Sequence, residues 1–107
     1  CDNTAFLDMT TATTTQIVAL SGSTTIYVCE LDVFTNGTAV GTLKYGTGSN
    51  CGTGTTALGP AWDFTAQTGL SVGSGLGMVF KTTASQALCF TSSANVNVHV
   101  HVSYTQF

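Results

Sequence analysis

The chain has 107 residues, 43% hydrophobic and only 7% charged: two lysines, no arginine and five carboxylates, for a formal charge of -3. Soluble domains carry about a quarter charged residues, so this surface must be polar through hydroxyls and amides, and threonine alone takes 21 positions. Lys44 and Lys81, the only basic residues besides two histidines, cannot neutralise a run of phosphates, which excludes nucleic acid and polybasic membrane attachment. No apolar run approaches the length of a membrane span.

Helical signals are absent. No window sustains apolar spacing at i, i+3, i+4, and Thr, Gly and Val fill most segments. Residues 5–9 (AFLDM) and 15–20 (TQIVAL) are short strand candidates, the second ended by Ser21-Gly22-Ser23. Residues 24–34 (TTIYVCELDVF) predict the first long strand. Asn36-Gly37 follows, the strongest short hairpin dipeptide, and predicts an antiparallel return over 39–45. In that hairpin Tyr27, Cys29, Leu31 and Val33 share one face and Glu30 and Asp32 the other, with Lys44 near Glu30 across the ladder.

Residues 46–60 (GTGSNCGTGTTALGP) hold five glycines and five hydroxyl residues, which predicts an extended loop tethered through Cys51. Beyond Pro60, 61–67 alternates Trp62 and Phe64 against Asp63 and Thr65. A glycine-rich stretch, 69–77, precedes two short strands, 78–82 and 86–92. From Asn95 to Thr105 the alternation has no error: Val96, Val98, Val100, Val102 and Tyr104 face one way, with Asn95, Asn97, His99, His101, Ser103 and Thr105 opposite. That is one half-buried strand, long for a small domain. Seven or eight strands with turns every 8–12 residues predict an all-β fold. The expected architecture is one antiparallel β-sandwich over 1–107, jelly-roll-like and stabilised by disulfides.

Four cysteines, Cys1, Cys29, Cys51 and Cys89, lie 28, 22 and 38 residues apart with no C-x2-C pair, so two disulfides are expected rather than a zinc knuckle. Spacing does not separate the three pairings, although Cys1–Cys29 with Cys51–Cys89 is preferred. Disulfides imply an oxidising destination: secreted, periplasmic or on the exterior of a virus particle. Cys1 is consistent with a removed signal peptide, a lost initiator Met or a lipid-modified N-terminus.

His99-x-His101 is the one motif with ligand character, since two imidazoles two residues apart on a strand project from one face. The carboxylates are scattered along the chain, so the pair is read as a polar row facing solvent or a partner, and no metal is assigned. Glu30 and Asp32 read as a solvated strand face, because acid–base work on glycosides needs carboxyls across a cleft. Gly73-x-Gly75-x-Gly77 opens no helix and reads as a turn or bulge rather than a phosphate cradle. Asn36-Gly37-Thr38 is a glycosylation sequon that turn geometry explains. No Ser or Cys stands beside a plausible base, so no catalytic residue, enzyme activity or cofactor is expected. A mean hydropathy of +0.31 is high for a chain this small and predicts apolar area covered by a partner. Trp62, Phe64, His99, His101 and Phe107 are the interface candidates.

The ordered segments IYVCE (26–30), YGTGSNCGTGTTALGP (45–60), GSGLGMVFKTTASQALCF (73–90) and VSYTQF (102–107) resemble a group of small cysteine-containing β-proteins of tailed bacteriophages and bacterial genomes. The resemblance runs from about residue 17 to the end. It implies a non-enzymatic structural role on a virion surface or as a secreted protein, with phage capsid decoration the favoured version. It also implies many copies, commonly trimers, seated on a major capsid or other coat protein. A secreted adhesin or carbohydrate-binding module, touching its ligand through Trp62 and the 46–60 segment, is the alternative expectation.

Overall fold

A computed structural model describes all residues, 1–107. Ten strands follow one another: β1 (Asn3–Met9), β2 (Thr14–Val18), β3 (Ile26–Thr35), β4 (Ala39–Thr47), β5 (Thr53–Ala57), β6 (Trp62–Phe64), β7 (Thr68–Val72), β8 (Phe80–Lys81), β9 (Ala87–Ser92) and β10 (Val98–Gln106). The sole helical element is a 3-10 turn, Ser49–Cys51. The strands form two antiparallel sheets, one ordered β1-β10-β3-β7 with β8 also on β3, the other β2-β9-β4-β5 with β6 also on β4. β7 and β8 share one edge of β3, pairing with its residues 31–35 and 27–28, and β5 and β6 share one edge of β4 in the same manner. Taken as interrupted rows, these give eight rows. The first row pairs with the last, the second with the seventh, the third with the sixth and the fourth with the fifth. The chain is thus one long antiparallel hairpin rolled up into two facing sheets.

The period-2 pattern explains the core between them. Val98, Val100 and Val102 of β10 and Leu31 and Val33 of β3 point inward from one sheet; Leu43, Leu88 and Phe90 meet them from the other. Thirteen buried apolar side chains form this cluster. Burying each large side chain contributes roughly 1.5–3 kcal/mol, which carries the fold where long-range charge pairing is scarce.

Both disulfides form with the preferred pairing. Cys1–Cys29 ties the start of the chain to β3, and Cys51–Cys89 holds the 3-10 turn on β9, with Cα–Cα distances of 6.2 and 6.3 Å. Cys51, Ala87 and Cys89 make a small buried cluster of their own, outside the main core.

Four local expectations are overturned. The Asn36-Gly37 hairpin does not exist, because β3 and β4 lie in different sheets and residues 36–38 cross between them. A type I′ hairpin turn requires φ > 0 at both central residues, and neither Asn36 nor Gly37 has it. Glycine stands at 37 for room instead: a Cβ there would lie 2.5 Å from Cγ1 of Val96. Asn36 binds the segment before β10, its N–H donating to the Asn97 carbonyl (3.1 Å) and its Oδ1 accepting from the Asn97 N–H (2.9 Å).

Lys44 is consequently not opposite Glu30, and their strands belong to different sheets. The faces of β3 also change partway. Its register against β10 shifts at Ser103/Tyr104, passing from Glu30 to Val28 and leaving Cys29 as an extra residue. Such a bulge reverses which parity faces the core. Val28 and Leu31 therefore both point inward, while Tyr27 turns outward and stacks on Phe107 with ring centroids 4.8 Å apart.

The 46–60 segment is tethered through Cys51, as expected, but it is not an extended loop. It contains the 3-10 turn and the strand β5, whose residues are all exposed. Threonine has a high strand preference, and main-chain pairing with β4 supplies the order that packing does not.

Candidate functional site

The outer face of the β1-β10-β3-β7 sheet gathers most of the chemistry this chain owns. Strand register builds it rung by rung. Asp8 of β1, His99 of β10, Phe34 of β3 and Gly69 of β7 are partners in one line across the sheet. Phe6, His101, Asp32 and Ser71 form the next line, and Thr4, Ser103 and Glu30 the one after. Alternation along each strand sends all of these side chains to the same side, away from the core.

Two ion pairs cross this face when the imidazoles carry a proton. His99 Nδ1 lies 2.6 Å from Asp8 Oδ1, a direct hydrogen bond, whereas His101 Nδ1 stands 3.7 Å from Asp32 Oδ2. The second distance is too long for a hydrogen bond. Asp32 is held elsewhere, its Oδ1 accepting from the Ser71 hydroxyl at 2.6 Å. Donor atoms of Glu30, Asp32 and His101 all lie within 4.8 Å of one another. Both ion pairs of the molecule use histidine; neither lysine takes part in one.

Among these groups stand two large aromatics with little cover, Phe6 at 74% exposure and Phe34 at 60%. Phe34 lies over Gly69, where a Cβ would come within 2.6 Å of its ring. An aromatic side chain thereby shields the backbone of an edge-row glycine. The result is a face with two exposed rings set between polar pairs.

The residues singled out by sequence divide. His99 and His101 are exposed at the centre of this face. Phe107 is also exposed, at the far end of the same sheet where it stacks on Tyr27. Phe64 is not a surface residue: at 3% exposure it belongs to the core beside Gly41 and Phe90. Trp62 is half-buried and meets Phe80 edge-on, centroids 6.2 Å apart at 73°. A second exposed apolar stretch, Leu76, Met78 and Val79, lies in the glycine-rich connection from β7 to β8, where Gly73 and Gly75 take positive φ.

Phe6, Asp8, Phe34 and Ser71 were missed by sequence reasoning. The signal for two of them was available. Phe6 and Phe34 alternate with the inward-facing Leu7 and Val33, so their parity already placed an apolar ring outside the core. Asp8 needed the pairing of β1 with β10 and Ser71 that of β7 with β3, which join side chains 91 and 39 positions apart. Compared with models of known families the chain matches none, and no curated protein sequence matches it.

Proposed function

We propose that this chain is a non-enzymatic structural protein that assembles in many copies through the outer face of the β1-β10-β3-β7 sheet, on the surface of a virion or another extracellular assembly. One observation carries the reading: Phe6 and Phe34 stand exposed on one sheet face, surrounded by hydrogen-bonded and charge-paired polar residues. Aromatic anchors within a polar surround are the usual anatomy of a protein–protein contact. An exposed apolar patch of this kind on so small a domain invites a partner.

Two further features support it. The rolled eight-row order supports a jelly-roll reading of the sandwich, and jelly rolls serve viral capsid and lectin domains. Fold alone does not confer a function, so the face carries the proposal and the topology agrees with it. Two formed disulfides suit an oxidising, extracellular location. Within that class the resemblance to small phage proteins favours a capsid decoration role, with a major capsid protein as the further partner. A carbohydrate-binding role through Trp62 has less support, because that ring packs on Phe80 instead of standing free.

Sedimentation velocity of the 11.0 kDa chain over a wide concentration range tests the reading. A species larger than the monomer is expected, and the double variant Phe6→Ser/Phe34→Ser should return it to monomer with an unchanged far-UV spectrum. A wild-type chain that remains monomeric at every concentration would overturn self-assembly through this face.

A further inference from the structure

We propose that Glu30, Asp32 and His101 form a binding site for a divalent transition-metal ion, on the sheet face described above but independent of whether that face assembles. The sequence leaves the five carboxylates scattered; the pairing of β3 with β10 brings two of them to one histidine. Asp32 and His101 are direct register partners, and Glu30 lies two residues along β3 on the same side. Their donor atoms fall within 4.8 Å of one another, on strands whose backbones are fixed by ladder hydrogen bonds. A zinc ion at its usual bond lengths of about 2.0–2.2 Å needs donors roughly 3.3–3.5 Å apart. Closing the difference takes about 1 Å of side-chain movement, within reach of the half-exposed Glu30.

The two histidines of this face differ in a way that selects one of them. The Nδ1 of His99 is already engaged by Asp8 at 2.6 Å. His101 stands 3.7 Å from Asp32, near enough to share an ion and too far to satisfy it directly. Asp32 is oriented by the Ser71 hydroxyl on Oδ1, which leaves Oδ2 directed at the imidazole. That is the outer-sphere support metal-binding carboxylates commonly have. Glu30 and Asp32 also have no lysine paired to them, so a dication would relieve the repulsion between two like charges on one strand face.

The donor set argues for the class of ion. One imidazole nitrogen with two carboxylate oxygens suits zinc and its first-row neighbours, whereas calcium and magnesium prefer oxygen alone. Three protein ligands leave a position open to solvent, because His101 and its neighbours lie on an exposed face.

Zinc chloride titrated into the wild-type chain, followed by calorimetry and by the imidazole NMR signals, tests the site. One zinc per chain is expected, shifting the His101 signals, with calcium at the same concentration producing no shift. His101→Asn and Glu30→Gln should each weaken zinc binding by at least about tenfold, and Ser71→Ala by about tenfold. His99→Asn should stay within about twofold of wild type. Glu30→Gln removes a charge and no packing, so it decides the matter even if His101→Asn fails to fold. Failure of wild type to bind zinc at millimolar concentration overturns the site. So does an equal loss in His99→Asn, or undiminished binding in Glu30→Gln.

Discussion

Gly37 and Val96 illustrate how a single residue is chosen by a distant neighbour. A Cβ at 37 would lie 2.5 Å from a Val96 methyl, inside the closest approach of non-bonded carbons. Gly37→Ala should therefore destabilise the protein by about 1–3 kcal/mol through overpacking. Chemical denaturation of Gly37→Ala, Val96→Ala and the double variant checks this, since the double variant should recover part of the loss if the two side chains collide. Phe90 lies at the opposite extreme: it is fully buried between the sheets and touches the space over Gly41. Truncating it to Ala should lower unfolding free energy by about 3–5 kcal/mol, measured in the same way. Asp8, by contrast, pairs with His99 in the open, with more than half of each side chain exposed. Asp8→Asn should change stability by less than about 1 kcal/mol, because exposed ion pairs are weak.

Among the elements, the Ser49–Cys51 turn and β5 depend most on a covalent support. β5 has no buried side chain and lies at the sheet edge, paired only with β4. Cys51 seats the preceding turn on β9, and Asn50 Oδ1 accepts a hydrogen bond from the Gln16 N–H at 3.0 Å. Replacing Cys51 and Cys89 by alanine should lower stability by about 2–5 kcal/mol. The loss should be accompanied by faster amide exchange and proteolysis confined at first to residues 46–58, which hydrogen-exchange mass spectrometry would localise. Uniform loss of protection across both sheets would contradict that picture. The bulge at Cys29 acts on the same scale: one extra residue in β3 turns Tyr27 outward onto Phe107 and leaves Leu31 and Val28 both in the core.

In the whole molecule, the pairing pattern sets the folding kinetics. β1 pairs with β10 from Asn3↔Tyr104 onward, and β2 pairs with β9, so the first and last parts of the chain must meet before either sheet is complete. Closing loops of that length is entropically costly before contacts reward it. Refolding with the disulfides intact should fall in the millisecond-to-second range. Stopped-flow fluorescence of Trp62, the single tryptophan, would report it; a microsecond phase accounting for the full amplitude would argue against this topology as the rate-determining feature. The wrapping also produces the candidate assembly face. Residues that carry its charge and aromatics come from β1, β3 and β10, far apart in sequence.

By itself the sequence determined the class of fold and much of its interior. Period-2 alternation over Val98, Val100 and Val102 marks inward and outward residues wherever a strand runs uninterrupted, and it is a local property that needs no partner. Scarcity of charge and an even set of cysteines were likewise legible, and the preferred pairing is the one formed. Tertiary structure alone decided which strands adjoin. Asn36-Gly37 reads locally as a hairpin, yet the competition between pairing β3 with β4 and burying both against opposite sheets is settled by the whole core. Parity cannot foresee the bulge at Cys29, since that extra residue is defined only against β10. The same holds for His101 against the Glu30 and Asp32 pair: nothing local joins it to them, and they meet because the last strand of the chain inserts between the first and the third.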